Sequence, residues 1–160
     1  MTIITFGYDY RRGISLKELG FRRDTLKDAL LLNTAVSLLF VISILVPFKA
    51  GYLRASAPPE WELFFVYYLF ISGPSQEFLF RCNLFALMRR GNLRGPFVQI
   101  MLSAVTFSFL HIIYNDPLIL LVTFMAGLIW GWIYYRCPNF WGVALSHSIV
   151  GAIAIKVGLI

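Results

Sequence analysis

Residues 68–90 read YLFISGPSQEFLFRCNLFALMRR, and this stretch decides the fold. It is apolar almost to its end, yet Gln76, Glu77, Arg81 and Asn83 lie in its middle. Charged side chains in apolar surroundings are costly unless they are paired and face the protein interior. Glu77 and Arg81 are four residues apart, so they share one face of a helix and can pair. The stretch therefore predicts a helix that carries a polar site into apolar surroundings.

The composition of the 160-residue chain indicates that these surroundings are a lipid bilayer. Hydrophobic residues make up 59% of the chain and charged residues 14%, whereas a soluble domain is typically about 25% charged. The net charge of +6 does not indicate nucleic-acid binding, because the basic residues stand at the ends of apolar runs. Cys82 and Cys137 have no metal-binding or disulfide spacing. The N-terminus lacks the features of a cleavable signal peptide, so we expect the first span to be the insertion signal.

Five apolar stretches predict an all-α, polytopic transmembrane helix bundle with about five spanning segments, because about 20 apolar residues suffice to cross a bilayer. The stretches are Ala29–Phe48, Trp61–Met88, Pro96–Tyr114, Pro117–Tyr135 and Phe140–Ile160. The second is longer than one span requires and contains Gly73 and Pro74 near its middle. Proline removes a helical hydrogen bond. We therefore expect either a span kinked near Gly73-Pro74 or two packed pieces.

Residues 1–28 are basic and predict a cytoplasmic or interfacial segment ahead of a membrane domain over residues 29–160. A solvated tail is the alternative for this segment. Ser15 and Glu18 have the spacing of a capping box. Ten Lys and Arg residues near helix ends fall on the N-terminal side of the bundle, against Lys49, Arg54 and Lys156 on the other side. This asymmetry predicts a multi-pass protein with a cytoplasmic N-terminus.

The only two histidines, His111 and His147, both fall inside apolar stretches. At a rise of about 1.5 Å per residue, Glu77, His111 and His147 lie about 21, 24 and 14 Å from the helix ends on the N-terminal side. Kinks and tilt can absorb these differences. Each group alone is consistent with a structural role, but three at similar depth favour a functional site. We expect Glu77, Arg81, His111 and His147 to line one interior cavity.

Two pairs of small residues predict close packing between helices. Gly127 and Gly131 form a GxxxG pattern, and Ser148 and Ala152 repeat the same spacing. Small residues at this spacing are typical of close contacts between transmembrane helices. These residues therefore predict helix packing rather than chemistry.

The polar residues form three motifs that resemble those of the CPBP family, also called the Abi family, which includes the type II CAAX prenyl endopeptidases and bacteriocin-processing proteins. That family is marked by Glu-Glu-x-x-x-Arg, then Phe-x-x-x-His, then His-x-x-x-Asn or Asp. In this chain the corresponding residues are Gln76, Glu77 and Arg81, then Phe107 and His111, then His147 and Gly151. The resemblance covers residues 61–155, and SLKELGFRR at 15–23 resembles the family's entry into its first span.

The resemblance implies a glutamic-type intramembrane endopeptidase that sits in the lipid bilayer and hydrolyses a membrane-associated peptide or protein. A glutamate helped by a histidine would activate a water molecule, and a second histidine with an asparagine would stabilise the oxyanion. The implied site residues are Glu77, Arg81, His111 and His147. The sequence requires no cofactor. It leaves a zinc ion open, with Glu77, His111 and His147 as the ligands.

The chain departs from the family pattern at Gln76, at Cys82 and at Gly151. Glutamine cannot accept a proton as a base, and glycine has no side-chain donor for an oxyanion. Either Glu77 acts as the base with His111, or His111 activates the water alone, or the site does not cleave. The alternative function is therefore a catalytically impaired relative that acts as an accessory or scaffold subunit among other membrane proteins. A small transporter is a third and less favoured interpretation.

Overall fold

The computed structural model describes residues 2–52 and 61–159, and within these ranges all regular secondary structure is helical. The helices are α1 (Thr2–Arg11), α2 (Leu26–Lys49), α3 (61–90), α4 (Pro96–Tyr114), α5 (Pro117–Arg136) and α6 (Phe140–Lys156). The predicted all-α bundle is confirmed. Arg54, which entered the charge count, and Ile160, the predicted end of the last span, lie outside the described residues.

Three helices, α2, α4 and α5, are long and apolar enough to cross a bilayer, and α6 is a shorter apolar helix. Large apolar side chains stay exposed on the outer faces; on α2, Leu38, Leu39 and Ile42 are 60%, 64% and 58% exposed. Apolar surface of this extent is stable against lipid chains rather than against water. The helices thus indicate an integral membrane protein. Because α3 consists of several shorter segments, the number of five spans stays a prediction.

α3 is helical throughout, so Gly73 and Pro74 do not divide it into two separate pieces. Its α-helical segments are Trp61–Tyr67, Gly73–Glu77 and Leu84–Arg90, and they alternate with the π-helical segments Tyr68–Ser72 and Phe78–Asn83. The N–H of Gly73 bonds to the carbonyl of Tyr68, five residues earlier, as a π-turn requires. Such turns are a known cause of helix bending, and the bend near Gly73-Pro74 stays a prediction.

Small residues let the helices approach closely. α4 packs along α5, and α2 packs along α6. A Cβ added to Gly127 of α5 would lie 2.9 Å from Cα of Ala104 on α4. A Cβ added to Gly142 of α6 would lie 3.0 Å from Nδ2 of Asn33 on α2. The predicted packing role of the glycine pair is confirmed, since Gly131 also faces α4.

The N-terminal segment is folded against one end of the bundle. Asn83 Nδ2 donates to both carboxylate oxygens of Asp9, each at 2.7 Å, and Asp9 is fully buried. The predicted capping box is confirmed, because Ser15 N–H donates to Glu18 Oε2 at 2.8 Å and Glu18 N–H donates to Ser15 Oγ at 3.2 Å. The division into segments 1–28 and 29–160 stays a prediction, but the first of them is not a loose tail.

Further contacts place three parts of the chain on the same side of the bundle. Arg90 at the end of α3 donates to Glu18, at 3.0 Å for each of two bonds. The backbone N–H of Phe140 donates to the carbonyl of Gly20 at 3.0 Å, and Asn139 Nδ2 donates to the carbonyl of Arg22 at 2.8 Å. The N-terminal segment, the end of α3 and the start of α6 therefore share one side.

Candidate functional site

A cavity of about 430 Å³ opens between α2, α3, α4, α5 and α6. Its wall is mainly apolar. The imidazole and hydroxyl groups in the wall belong to His111, His147, Tyr68, Thr123 and Ser43. His111 and His147 come from α4 and α6, and both are buried. The structure therefore brings the two predicted histidines to one cavity inside the helices.

His111 is fixed by its own helix. Its Nδ1 lies 3.0 Å from the backbone carbonyl oxygen of Phe107, one turn earlier. A carbonyl oxygen can only accept, so Nδ1 carries the proton of the neutral ring and Nε2 carries the lone pair. The contact forms where α4 tightens into the 3₁₀ turn Leu110–Tyr114. The Phe-x-x-x-His spacing thus sets the tautomer that a general base needs.

His147 is held by Glu77 and by two aromatic rings. Its Nδ1 lies 2.7 Å from Glu77 Oε1, and a carboxylate can only accept, so Nδ1 is the donor. The ring stacks on Trp130 at 4.8 Å between centroids with an interplanar angle of 23°. The ring of Phe107 meets it edge-on at 5.3 Å. These contacts fix the plane of the imidazole and leave Nε2 as the nitrogen that Glu77 does not engage.

Glu77 and Arg81 lie behind His147 rather than in the cavity wall. Oε2 of Glu77 is 3.2 Å from Nε of Arg81, and both side chains are fully enclosed. The guanidinium lies over the Phe107 ring, 4.3 Å from its centroid, and 6.0 Å from that of Trp130. Such contacts with aromatic faces favour a cation. The expectation that all four residues line one cavity is therefore wrong for Glu77 and Arg81.

The four predicted residues nevertheless form one connected cluster. Arg81, Glu77 and His147 follow one another in direct contact. His111 joins them through the ring of Phe107, whose centroid is 4.9 Å from the His111 ring. Gln76 is only partly buried, donates to Ser72 Oγ at 3.2 Å and does not line the cavity. The residue one position before Glu77 therefore lies apart from the cluster.

The three residues proposed as zinc ligands do not converge. Within residues 2–52 and 61–159, no group of three His, Cys, Asp or Glu side chains is placed to hold a metal ion. His147 Nδ1 and Glu77 Oε1 are bonded to each other, and the other Glu77 oxygen faces Arg81. The donor atoms of Glu77 are thus engaged, so Glu77, His111 and His147 in this arrangement do not fit a zinc site.

Tyr68 is the residue of the site that the sequence did not indicate. Its hydroxyl lies 3.4 Å from His147 Nε2. In a regular α-helix, nine residues turn through about 900°, which would put Tyr68 and Glu77 on opposite faces. The π-helical turn Tyr68–Ser72 adds about one residue to a turn and removes about 100° of that rotation. This π-helical turn thus brings Tyr68 to the cavity. The Gly73-Pro74 sequence indicates an irregularity in the helix but not a π-turn.

Comparison with known protein families gives a match. The family described as type II CAAX prenyl endopeptidase Rce1-like matches residues 58–153, more than half of the chain. The matched range contains the whole cluster around the cavity. No curated protein and no solved structure matches the chain.

Proposed function

The chain belongs to the Rce1-like family of type II CAAX prenyl endopeptidases, and we propose that it is an intramembrane endopeptidase. It is a membrane protease-like protein, and its proposed reaction is hydrolysis of a peptide bond in a membrane-associated substrate. The observation that carries the proposal is the pair of buried imidazoles, His111 and His147, at one cavity between apolar helices. Each has its Nδ1 engaged by a protein acceptor, and both rings line the cavity.

His111 is the proposed general base. Its Nε2 takes a proton from a water molecule while the oxygen of that water attacks the carbonyl carbon of the peptide bond. The imidazolium then gives the proton to the departing nitrogen, so that the ring ends neutral and the products are an acid and an amine. Of the alternatives open in the sequence, activation by His111 alone is favoured, because Glu77 is engaged by His147 and Arg81. A base of this kind contributes about 10²–10⁴-fold.

His147 is the proposed oxyanion donor. With a proton on each nitrogen, the ring donates from Nε2 to the oxygen of the tetrahedral intermediate. Its Nδ1 proton stays on the bond to Glu77, whose carboxylate compensates the charge of the ring at 2.7 Å. Trp130 and Phe107 hold the ring plane, so little reorganisation is needed. A fixed donor in an apolar cavity stabilises the oxyanion more than water does.

The proposed orientation has the N-terminus on the cytoplasmic side. The basic N-terminal segment, the end of α3 with Arg90 and the start of α6 share one side of the bundle. An excess of Lys and Arg on one side favours retention of that side in the cytoplasm. Labelling of cysteines introduced at Ser15 and at Tyr52 with a membrane-impermeant reagent tests this. We expect only the second position to react from outside.

A non-catalytic accessory or scaffold subunit is the second candidate, and the enclosed Glu77–Arg81 pair is the observation that favours it. A charge pair with no exposed atom is suited to clamp a fold. Gln76 and Gly151 also lack the groups that the family pattern places there. In this case loss of Glu77 lowers the amount of folded protein and partner binding, and neither the parent nor any variant cleaves a peptide.

The deciding experiment is cleavage of a membrane-anchored peptide by purified protein in lipid vesicles, with products identified by mass spectrometry. We expect the parent to cleave and His111→Ala to cleave at least about 10²-fold more slowly. The matched control is Ile113→Ala, which changes an exposed side chain (78%) in the same 3₁₀ turn and should leave the rate unchanged. A parent without activity, or a His111→Ala variant with the parental rate, would contradict the proposal.

A further inference from the structure

The hydroxyl of Tyr68 occupies the space beside Gly151. A Cβ built onto Gly151 would overlap this oxygen and would lie 2.8 Å from Cζ of the same ring. The phenol and a side chain at residue 151 therefore exclude each other. Tyr68 is 8% exposed, and it lines the cavity together with both histidines and Gly151. The space that a side chain at residue 151 of α6 would fill is thus occupied by the hydroxyl of Tyr68 from α3.

The Tyr68 hydroxyl is held where a donor would be useful. It lies 3.4 Å from Nε2 of His147, the atom proposed to donate to the oxyanion. When Nε2 carries a proton, as the oxyanion role requires, it donates to the tyrosine oxygen and leaves the O–H of Tyr68 free to donate to a substrate. The Tyr68 ring stacks on Phe64 at 6.1 Å and meets the His147 ring edge-on at 6.4 Å. These rings restrict the position of the phenol before any substrate binds.

We propose that Tyr68 is the second oxyanion donor, in place of the side chain that Gly151 lacks. This inference rests on the proposed peptidase function. As the tetrahedral intermediate forms, the Tyr68 O–H and the His147 Nε2–H both donate to its oxygen. The hydroxyl keeps its proton throughout, and when the carbon–nitrogen bond breaks the carbonyl is restored and both donors are released. The glycine at 151 is then what makes room for the tyrosine.

The first test removes only the hydroxyl. Tyr68→Phe should lower kcat by about 10²-fold, the usual effect of losing one oxyanion donor, while KM changes by less than about threefold. Tyr67→Phe is the matched control, because it makes the same change at the neighbouring residue, whose side chain is 52% exposed. It should keep the parental kcat. A structural role for Tyr68 would lower the amount of folded protein rather than kcat per folded molecule.

The second test moves the donor to the other helix. Tyr68→Ala combined with Gly151→Asn empties the space of the phenol and places an amide there. We expect this double variant to regain at least about tenfold in kcat over Tyr68→Ala alone. Tyr68→Ala combined with Gly151→Ala fills part of the same space without a donor and should regain nothing. Equal recovery by both double variants would show that packing rather than donation is at work, and would overturn the inference.

Two outcomes separate this inference from the proposed function. A parent that does not cleave overturns the proposed function and this inference with it. A parent that cleaves while Tyr68→Phe keeps its kcat overturns this inference alone. Binding of a peptide phosphonate, whose tetrahedral anionic group resembles the intermediate, gives a readout without turnover. Tyr68→Phe should weaken that binding by about the same factor as kcat and leave binding of the uncleaved peptide unchanged.

Discussion

Glu77 and Arg81 face each other across 3.2 Å, and neither side chain is exposed. The other oxygen of Glu77 lies 2.7 Å from His147. The carboxylate of Glu77 thus pairs with the guanidinium of Arg81 on its own helix and accepts a hydrogen bond from the imidazole of His147 on α6. This arrangement makes Glu77 the centre of the site's support, because no other described carboxylate contacts Arg81 or His147.

Glu77→Gln should therefore lower stability. It leaves the Arg81 charge buried without a counter-charge, at a cost of about 3–5 kcal/mol. Thermal unfolding in detergent micelles measures the effect. Combining Glu77→Gln with Arg81→Met removes both charges and should recover most of the loss. A single variant as stable as the parent would contradict this supporting role of the carboxylate.

Gln76→Glu should leave the rate of peptide cleavage unchanged. It restores the acidic pair of the family motif, but residue 76 contacts Ser72 and does not line the cavity that holds both histidines. The vesicle cleavage assay measures the change. Gln76→Ala is the control, since it removes the contact with Ser72 without adding a carboxylate. A higher rate for Gln76→Glu than for Gln76→Ala would contradict this and give residue 76 a part in the reaction.

Removal of metal ions should leave cleavage unchanged. Glu77 Oε1 is bonded to Nδ1 of His147 and Oε2 is paired with Arg81, so in the described part of the chain the three candidate ligands do not form a site. The measurement is the cleavage rate after dialysis against a strong zinc chelator, with a zinc peptidase treated in parallel. Activity that disappears and returns on addition of zinc would reverse this conclusion.

The contact between Glu18 and Arg90 should make stability depend on pH. The side-chain bond from Arg90 and the backbone bond from Ser15 lower the pKa of Glu18 from 4.5 to about 2. Because the folded state has the lower pKa, the stabilisation is fully present above pH 4.5 and is lost as pH falls through about 2. Unfolding of the parent and of Glu18→Gln should differ by about 0.2–1 kcal/mol near pH 6, as for exposed ion pairs. A difference that persists unchanged at pH 2 would exclude this cause.

Much of the fold follows from local pattern. α4 and α5 coincide with apolar stretches bounded by a proline at the start and a polar turn at the end, so their limits were predictable. At the start of α5, the N–H of Leu118 donates to Asp116 Oδ1 at 2.7 Å, which is the usual contact of an N-cap residue. α1 was not predictable in this way. Its fully buried side chain, Asp9, depends on Asn83, far along the chain.

The sequence predicted most of the residues of the candidate site, but not how their side chains are arranged around the cavity. The i, i+4 spacing correctly places Glu77 beside Arg81, but spacing does not say which face meets the cavity. The neighbours of His147 on α3, α4 and α5 decide that face. Tyr68 was missed because a π-turn changes the register of α3, and a sequence period of 3.6 carries no information about one irregular turn.

The contacts of the N-terminal segment constrain the order in which the chain is assembled. Asp9 is made early, but its partner Asn83 follows 74 residues later, and the carbonyl of Gly20 is bonded only when Phe140 has been made. During synthesis, the carboxylate of Asp9 therefore lacks Asn83 until α3 has been made, and the carbonyl of Gly20 lacks its partner until α6 begins. Completion of the polar contacts at this end coincides with arrival of α6, the helix that also brings His147. A nascent chain that stops short of α6 thus lacks both the closed N-terminal side and the second imidazole.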